Sequence, residues 1–305
     1  MYDVIIIGGG PAGITAGIYA VRKDLKALLL TKDFIGQTGK AAFIENWPGT
    51  KEISGPELMN QFREHIDSLG LEFSEGELVS DLSKEGDVFK VRTEKDNKFE
   101  SRAVIVTSGR NPRPLKVKGE DKYIGKGISY CAICDAPFFL GKRVAVIGGG
   151  NSSFETAIEM AGRKSPKVYI LEITPKVTAD EVLQERVKNL DNIDVLTNTI
   201  LKEIKGDKFV KSIIYKDKKS GEEKELEVEG VFVEIGSIPV TDFIKELADY
   251  NNQGEIIVDH RDCSTKTPGL FAAGDVTDVP YKQIVIAAGE GSKAALAAYN
   301  YLRNG

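Results

Sequence analysis

Residues 3–7, DVIII, form a short β-branched apolar run that stops at GGGPAG, and ITAGIYAVRKD then brings small and apolar residues at helical spacing. This alternation predicts a strand, a glycine-rich turn and a helix. The same pattern returns at 143–147, RVAVI, followed by GGGNSSFETAIEMAG and by KVYILE as a further strand. Three intervening runs, SKEGDVFK, TEKDNKFE and KDKKSGEEKELEVE, mix both charge signs and read as solvated hairpins. Near the end, TPGLFAAGDVTDVPYKQIVIAAGEGSKAALAAYNYL predicts an apolar strand, a Gly-Asp turn and a long helix of small residues.

Two segments, 104–120 and 231–243, end an apolar strand in glycine, at Gly109 and Gly236, and continue through proline. That is the chemistry of a hinge connection. They predict a discontinuous layout in which residues 1–114 and 244–305 form one domain and 115–243 are inserted into it. The two glycine turns stand much too far apart for a solenoid repeat. The expected fold class is therefore α/β, with two doubly wound, Rossmann-like dinucleotide-binding domains, the second inserted into the first.

A chain of 305 residues suits two domains, and 41% hydrophobic with 29% charged residues describes a globular protein. The net charge of −5 opposes nucleic acid as a partner. No apolar run approaches the roughly 20 residues that would span a membrane. The opening MYDVIIIGGG has neither a basic segment nor a cleavage site, so no secretion signal is expected. Three cysteines make no disulfide framework, which points to the cytoplasm.

Chemistry enters with the glycines. Gly8, Gly10 and Gly13, with Pro11 and Ala12 between them, fit G-x-G-x-x-G in strand–turn–helix context. The first two glycines allow a tight turn and close approach of backbone to a pyrophosphate. The third lets the helix pack on the strand, and the helix N-terminus favours the phosphate charge. Gly148 and Gly150 repeat the first two positions, Asn151 and Ser152 follow, and Ser153 replaces the third glycine with another small residue. Two such turns predict two dinucleotides. Asp275, after Gly274, can accept hydrogen bonds from a sugar or ribityl hydroxyl. Cys131 and Cys134 form a C-x-x-C pair followed by Asp135.

Five ordered motifs, GGGPAGITAGIYAVR, IENWPG, CAICD, VAVIGGGNSSFETA and GLFAAGDVTDVPYKQIVIAAGEG, resemble the low-molecular-weight thioredoxin reductases over the whole chain. Within that family the chain is most similar to the reductase core of the alkyl hydroperoxide reductase flavoprotein subunit. That subunit carries an N-terminal extension, and this chain starts at the first strand, so electrons are expected to leave to a separate protein. The resemblance implies FAD on the first fold and a nicotinamide nucleotide on the second. It also implies a homodimer and a domain rotation that presents the cysteines alternately to flavin and partner. By the same resemblance Gln37, Asn46, Asp275, Gln283 and Ile284 contact FAD, and Gly109, Gly236 and Gly274 belong to the cofactor-contacting turns. No acidic residue closes the strand before TKD, so the FAD ribose falls to Thr31, Lys32 or a backbone group.

The cysteine pair then reads as redox-active. Zinc needs a second ligand pair that the sequence lacks, so no metal is expected, and a structural disulfide over so short a loop stabilises little. Two intervening residues let one thiolate attack an external disulfide while the other resolves it. Resemblance makes Cys134 the flavin-facing cysteine, Cys131 the exposed one, and Asp135 the acid/base; the lone Cys263 is structural. The expected acceptor is thioredoxin or a glutaredoxin-like protein, feeding a peroxiredoxin. In place of the basic His-Arg-Arg of NADPH-using relatives stands LEITPK, with Glu172 24 residues past Gly148. A carboxylate there accepts from a free 2′-hydroxyl and repels a 2′-phosphate, so NADH is expected in preference to NADPH.

Overall fold

The computed structural model describes residues 1–40, 44, 46–130 and 132–304, without the side chains of residues 40, 133 and 134. The chain begins β1 (Tyr2–Ile7), α1 (Pro11–Val21), β2 (Ala27–Thr31), α2 (Gly55–Ser68), β3 (Glu72–Glu75), β4 (Val79–Glu85), β5 (Val88–Thr93) and β6 (Lys98–Val106). It leaves through β7 (Arg110–Pro112) into α3 (Glu120–Tyr123), β8 (Ile128–Ser129), α4 (Ala132–Asp135), β9 (Val144–Ile147), α5 (Asn151–Gly162), β10 (Val168–Leu171), α6 (Glu181–Lys188) and β11 (Ile193–Leu196). Then come β12 (Thr199–Gly206), β13 (Val210–Asp217), β14 (Glu223–Glu227) and β15 (Gly230–Val233). It returns through β16 (Ser237–Pro239) to β17 (Leu270–Ala272) and α7 (Ile284–Asn304). Two compact units result, Met1–Asn111 with Ile238–Gly305, and Pro112–Ser237. Both divisions lie N-terminal to the expected 114/115 and 243/244.

The two units repeat one plan. In the first, a parallel sheet runs β3-β2-β1-β6 and β17 joins the far edge of β6. In the second, the parallel order is β11-β10-β9-β15-β8. The glycine turn follows the central strand in both. β6 is long enough to serve two neighbours on one edge: Lys98–Ser101 pair antiparallel with β5, while Val104–Val106 pair parallel with β17. The charge-mixed runs form antiparallel hairpins, β4–β5–β6 and β13–β14.

Alternation along β1 divides the first core. Val4 and Ile6 point to one face, against α1, α2 and α7, while Ile5 and Ile7 point to the other, against β4 and β5. In the second unit Val144 and Val146 of β9 pack with Phe154, Ala157 and Met160 of α5. Ala145 and Ile147 pack on the opposite face with Leu201, Ile204, Ile213 and Tyr215 of β12 and β13. Each sheet therefore takes helices on one face and strands on the other. The strands on that second face alternate polar with apolar because only one side of each is covered. Among the described residues, no helix is long and apolar enough to cross a membrane.

Candidate functional site

At the end of β1 the chain reverses through Gly8, whose φ of +119° belongs to glycine. A Cβ here would stand 2.2 Å from the Thr107 carbonyl oxygen. The third glycine, Gly13, lies so near the turn that its Cβ would meet Gly8 O at 1.8 Å. Between them Gly10 caps α1 with no side-chain hydrogen bond, and a Cβ there would meet nothing within 4 Å. Pro11 opens the helix, removing an N–H that would have had no partner. The result is a helix N-terminus with uncovered donors, facing a cleft of about 610 Å³.

Distant segments complete that cleft. Thr31, Lys32 and Gln37 line it from the end of β2 and the chain after it, Gly109 and Arg110 from the connection of β6 to β7, and Gly274, Asp275, Gln283 and Ile284 from the stretch between β17 and the start of α7. Gly13 and Asn46 are not lining residues; Asn46 Nδ2 donates to Gln283 Oε1 at 3.1 Å. Gln37 Nε2 donates to Arg110 O at 3.1 Å. The Thr31 hydroxyl accepts from Gly9 N at 3.0 Å and donates to Asp33 O at 2.6 Å, so its one proton is already engaged. Burial pushes the Asp275 carboxyl up, with Lys282 and Arg110 opposing.

Two acids escaped the sequence reading. Glu290 of α7, 5% exposed, accepts from Gly274 N at 2.8 Å and so pins the turn that carries Asp275. Glu255, also buried, is bonded to Arg110, Lys282 and Asn251. Glu255 stands outside the five motifs, and Glu290 stands at the end of the last of them as a lone carboxylate among the small and apolar residues of AAGEGS.

The second turn copies the first partner for partner. Gly148, φ +129°, would place a Cβ 2.2 Å from Glu234 O, the counterpart of Thr107 O. Gly148 N donates to Leu171 O at 2.9 Å, as Gly8 N does to Leu30 O at 2.8 Å. Gly150 caps α5, and a Cβ there would find Thr178 Oγ1 no nearer than 3.7 Å. Ser153 is fully buried and its Oγ donates to Glu234 O at 3.4 Å, whereas in the first turn Thr107 Oγ1 donates to Ile7 O at 3.0 Å and to Gly8 O at 2.9 Å. Ser152 is exposed beside it, and Gly236 follows β15 with φ +86°.

Residues 172–180 fold back over this turn. Thr178 N and Ala179 N both donate to Gly149 O, at 2.8 and 3.0 Å. Glu172 Oε1 accepts from Thr174 N and Oγ1, each at 2.7 Å, and Oε2 lies 2.5 Å from where a Gly149 Cβ would stand. Asn151 exchanges two hydrogen bonds with Asp180, Nδ2 to Oδ2 at 2.9 Å and Asp180 N to Oδ1 at 2.8 Å. Burial lifts the Glu234 carboxyl to about 7, with Glu155 adding to the shift and Thr156 opposing it.

Cys131 lies outside the described residues, and the backbone of Cys134 belongs to α4. The residue before the pair is fastened: Glu120, buried, accepts from Leu115 N at 2.9 Å, Lys116 N at 2.6 Å and the Tyr130 hydroxyl. Asp135 is half-buried and lines a cavity of about 910 Å³ with Phe138, Phe139, Lys142, Phe209 and Lys211. Cys263 is buried, donates to Glu290 O at 3.6 Å, and burial pushes its thiol up to about 12. At neutral pH such a thiol is protonated and unreactive.

Residues 2–291 match the family described as pyridine nucleotide-disulphide oxidoreductase. An alkyl hydroperoxide reductase subunit of Pseudomonas aeruginosa is 43% identical over 305 residues, covering 99% of this chain and 58% of that protein. A Bacillus subtilis protein named NADH dehydrogenase is 43% identical over 301 residues, again with 58% of its length covered. The chain thus spans a little over half the length of these curated relatives. Among solved structures, Lactococcus lactis thioredoxin reductase aligns with a TM-score of 0.90 at 38% identity over 100% of both chains. That of T. acidophilum aligns at 0.86 and 40% identity over 98% of both. With the doubled sheet, the doubled turn and these matches together, the chain belongs to the pyridine nucleotide-disulphide oxidoreductase family.

Proposed function

We propose that this chain is an FAD-dependent disulfide reductase. Two electrons pass from a nicotinamide nucleotide, NADH in preference to NADPH, to the Cys131–Cys134 disulfide and on to the disulfide of a partner protein. One observation carries the reading: two glycine turns with matching partners stand in separate units, and the only C-x-x-C pair precedes the second.

The residues of the first cleft fit FAD. Gly10 leaves open space where a side chain would stand, α1 offers uncapped N–H groups, and about 610 Å³ falls in the range of cofactor sites. In this reading the residues from Gly8 to Gly13 hold the pyrophosphate at the start of α1, and Asp275 accepts from the ribityl chain. Lys32, Gln37, Gln283 and Ile284 line the same cleft and would hold the rest of the cofactor, with Asn46 fixing the Gln283 side chain from outside the lining. Bound there, FAD supplies two-electron exchange between a nicotinamide and a dithiol.

In the second unit Gly148, Gly150, Asn151 and Ser152 take the dinucleotide pyrophosphate. Glu172, held by Thr174, accepts from the ribose 2′-hydroxyl and opposes a 2′-phosphate. Asp135 delivers and removes the proton at the thiol stage. The Cys131 thiolate attacks the partner disulfide, releasing one partner thiol. Cys134 then attacks Cys131 sulfur, releasing the second partner thiol and restoring the internal disulfide. The exposed Phe138, which lines the same cavity as Asp135, offers a protein partner an apolar foothold. Thioredoxin or a glutaredoxin-like protein, passing electrons to a peroxiredoxin, fits that role.

Steady-state assays of NADH and NADPH against oxidised thioredoxin, glutaredoxin-like protein and peroxiredoxin test the reading. A higher kcat/KM is expected with NADH, and Glu172→Ala should narrow the preference mainly by weakening NADH. A higher value with NADPH ends the nucleotide assignment. Absence of turnover with every disulfide protein ends the reductase assignment.

A further inference from the structure

Behind the wall of the first cleft, one carboxylate gathers three polar side chains from distant parts of the first unit. Glu255 is 6% exposed. Its Oε1 meets the Arg110 guanidinium at 2.6 Å and the Lys282 ammonium at 3.0 Å, and those side chains are themselves only 12% and 26% exposed. Its Oε2 accepts from Asn251 Nδ2 at 2.6 Å, and Asn251 Oδ1 accepts from Glu255 N at 3.0 Å. Lys282 also donates to Thr277 O at 2.5 Å. Burial alone would raise the Glu255 carboxyl, but Asn251, Lys282 and Arg110 outweigh it and hold it below the ordinary range. The carboxylate is ionised at neutral pH.

Arg110, Lys282 and Asp275 line the cleft, whereas Glu255 stands behind them. Both cations bear on Asp275, lowering a carboxyl that burial raises. The wall is therefore a fixed array of charge in a partly dry site, where each charge acts more strongly than in water. Losing one member would leave the others buried without their partner.

We propose that Glu255 is a positioning residue that sets the reduction potential of the flavin, by fixing Arg110 and Lys282 in the cleft wall and offsetting part of their charge. The inference rests on the reading that this cleft holds FAD. A flavin carries more negative charge reduced than oxidised at neutral pH, so charge in the wall of the cleft that holds it would tune the balance. Cations in the wall favour the reduced form. The carboxylate behind them moderates that preference.

Two substitutions of opposite charge separate this role from a structural one. Glu255→Gln keeps the shape and an acceptor for Asn251 but removes the negative charge. Lys282→Met removes a positive charge and keeps much of the packing stem. Spectroelectrochemical titration of the FAD-loaded proteins should show the equilibrium shifted about tenfold toward reduced flavin in E255Q. In K282M it should shift about tenfold the other way, each about 30 mV for a two-electron couple. FAD dissociation constants and melting temperatures are measured alongside. Potentials within about twofold of wild type in that equilibrium, or shifts of the same sign in both variants, overturn the inference. If E255Q does not fold, K282M decides alone, since an unmoved potential there overturns it equally. Failure of the unmodified protein to bind FAD is a distinct result, visible before any variant is made, and removes the cofactor reading and this inference together.

Discussion

Asp135 and Glu234 show how differently two carboxylates in one unit are placed. Asp135 follows Cys134 in the chain and lines a cavity of about 910 Å³. Asp135→Asn should slow turnover by about 10²-fold, the usual loss with a missing acid or base, without loss of FAD. A rate within about twofold of wild type would reduce the residue to a helix-end charge. Glu234 is held by burial against the second glycine turn, with its carboxyl raised to about 7. A carboxyl with a folded pKa above its unfolded value binds its proton more tightly in the native state. Its contribution is therefore favourable while the native carboxyl is protonated, and it declines as pH rises from the unfolded value, near 4.5, through 7. Glu234→Gln should melt at nearly the wild-type temperature at pH 4 and above it at pH 8, a gain on the order of 1–3 kcal/mol. Equal melting temperatures across that range would show the side chain to be solvated.

At the scale of elements, the glycine turns carry the most specific prediction because their three glycines face three different surroundings. Gly13 cannot take a methyl without moving the Gly8 carbonyl, whereas Gly10 has open space. Gly10→Ala should fold with a melting temperature within a few degrees of wild type, yet bind FAD at least about tenfold more weakly, because the methyl stands where backbone must approach phosphate. Calorimetry and fluorescence titration of the apoprotein read the two effects separately. Unchanged FAD affinity would move the cofactor away from this turn. These turns were legible in the sequence because strand, turn and helix are contiguous and each part has its own periodicity. The Glu255 and Glu290 contacts were not. Glu255 meets Arg110 across 145 positions and Glu290 meets Gly274 through a backbone N–H, so neither pairing leaves a local pattern. Thr31 was legible as a polar strand end, but its engagement with Gly9 and Asp33 depends on the turn that follows.

For the whole molecule, two units built on one plan place a dinucleotide turn after the central strand of each sheet. The glycine–proline segments lead to an expected division at 114/115 and 243/244, and the two compact units divide a few residues earlier, within β7 and β16. The strand-covered faces were legible only as hairpins, since charge alternation says which side of a strand is wet but not which sheet it covers. The proposed reductase joins a flavin to a dithiol as two electron stores in one chain. Anaerobic reductive titration of the FAD-loaded protein with dithionite counts those stores directly. Uptake of about four electrons per flavin is expected in the wild type, two for the flavin and two for the disulfide, and about two in both Cys131→Ser and Cys134→Ser. Uptake of about two electrons by the wild type, unchanged in either variant, would contradict the proposal.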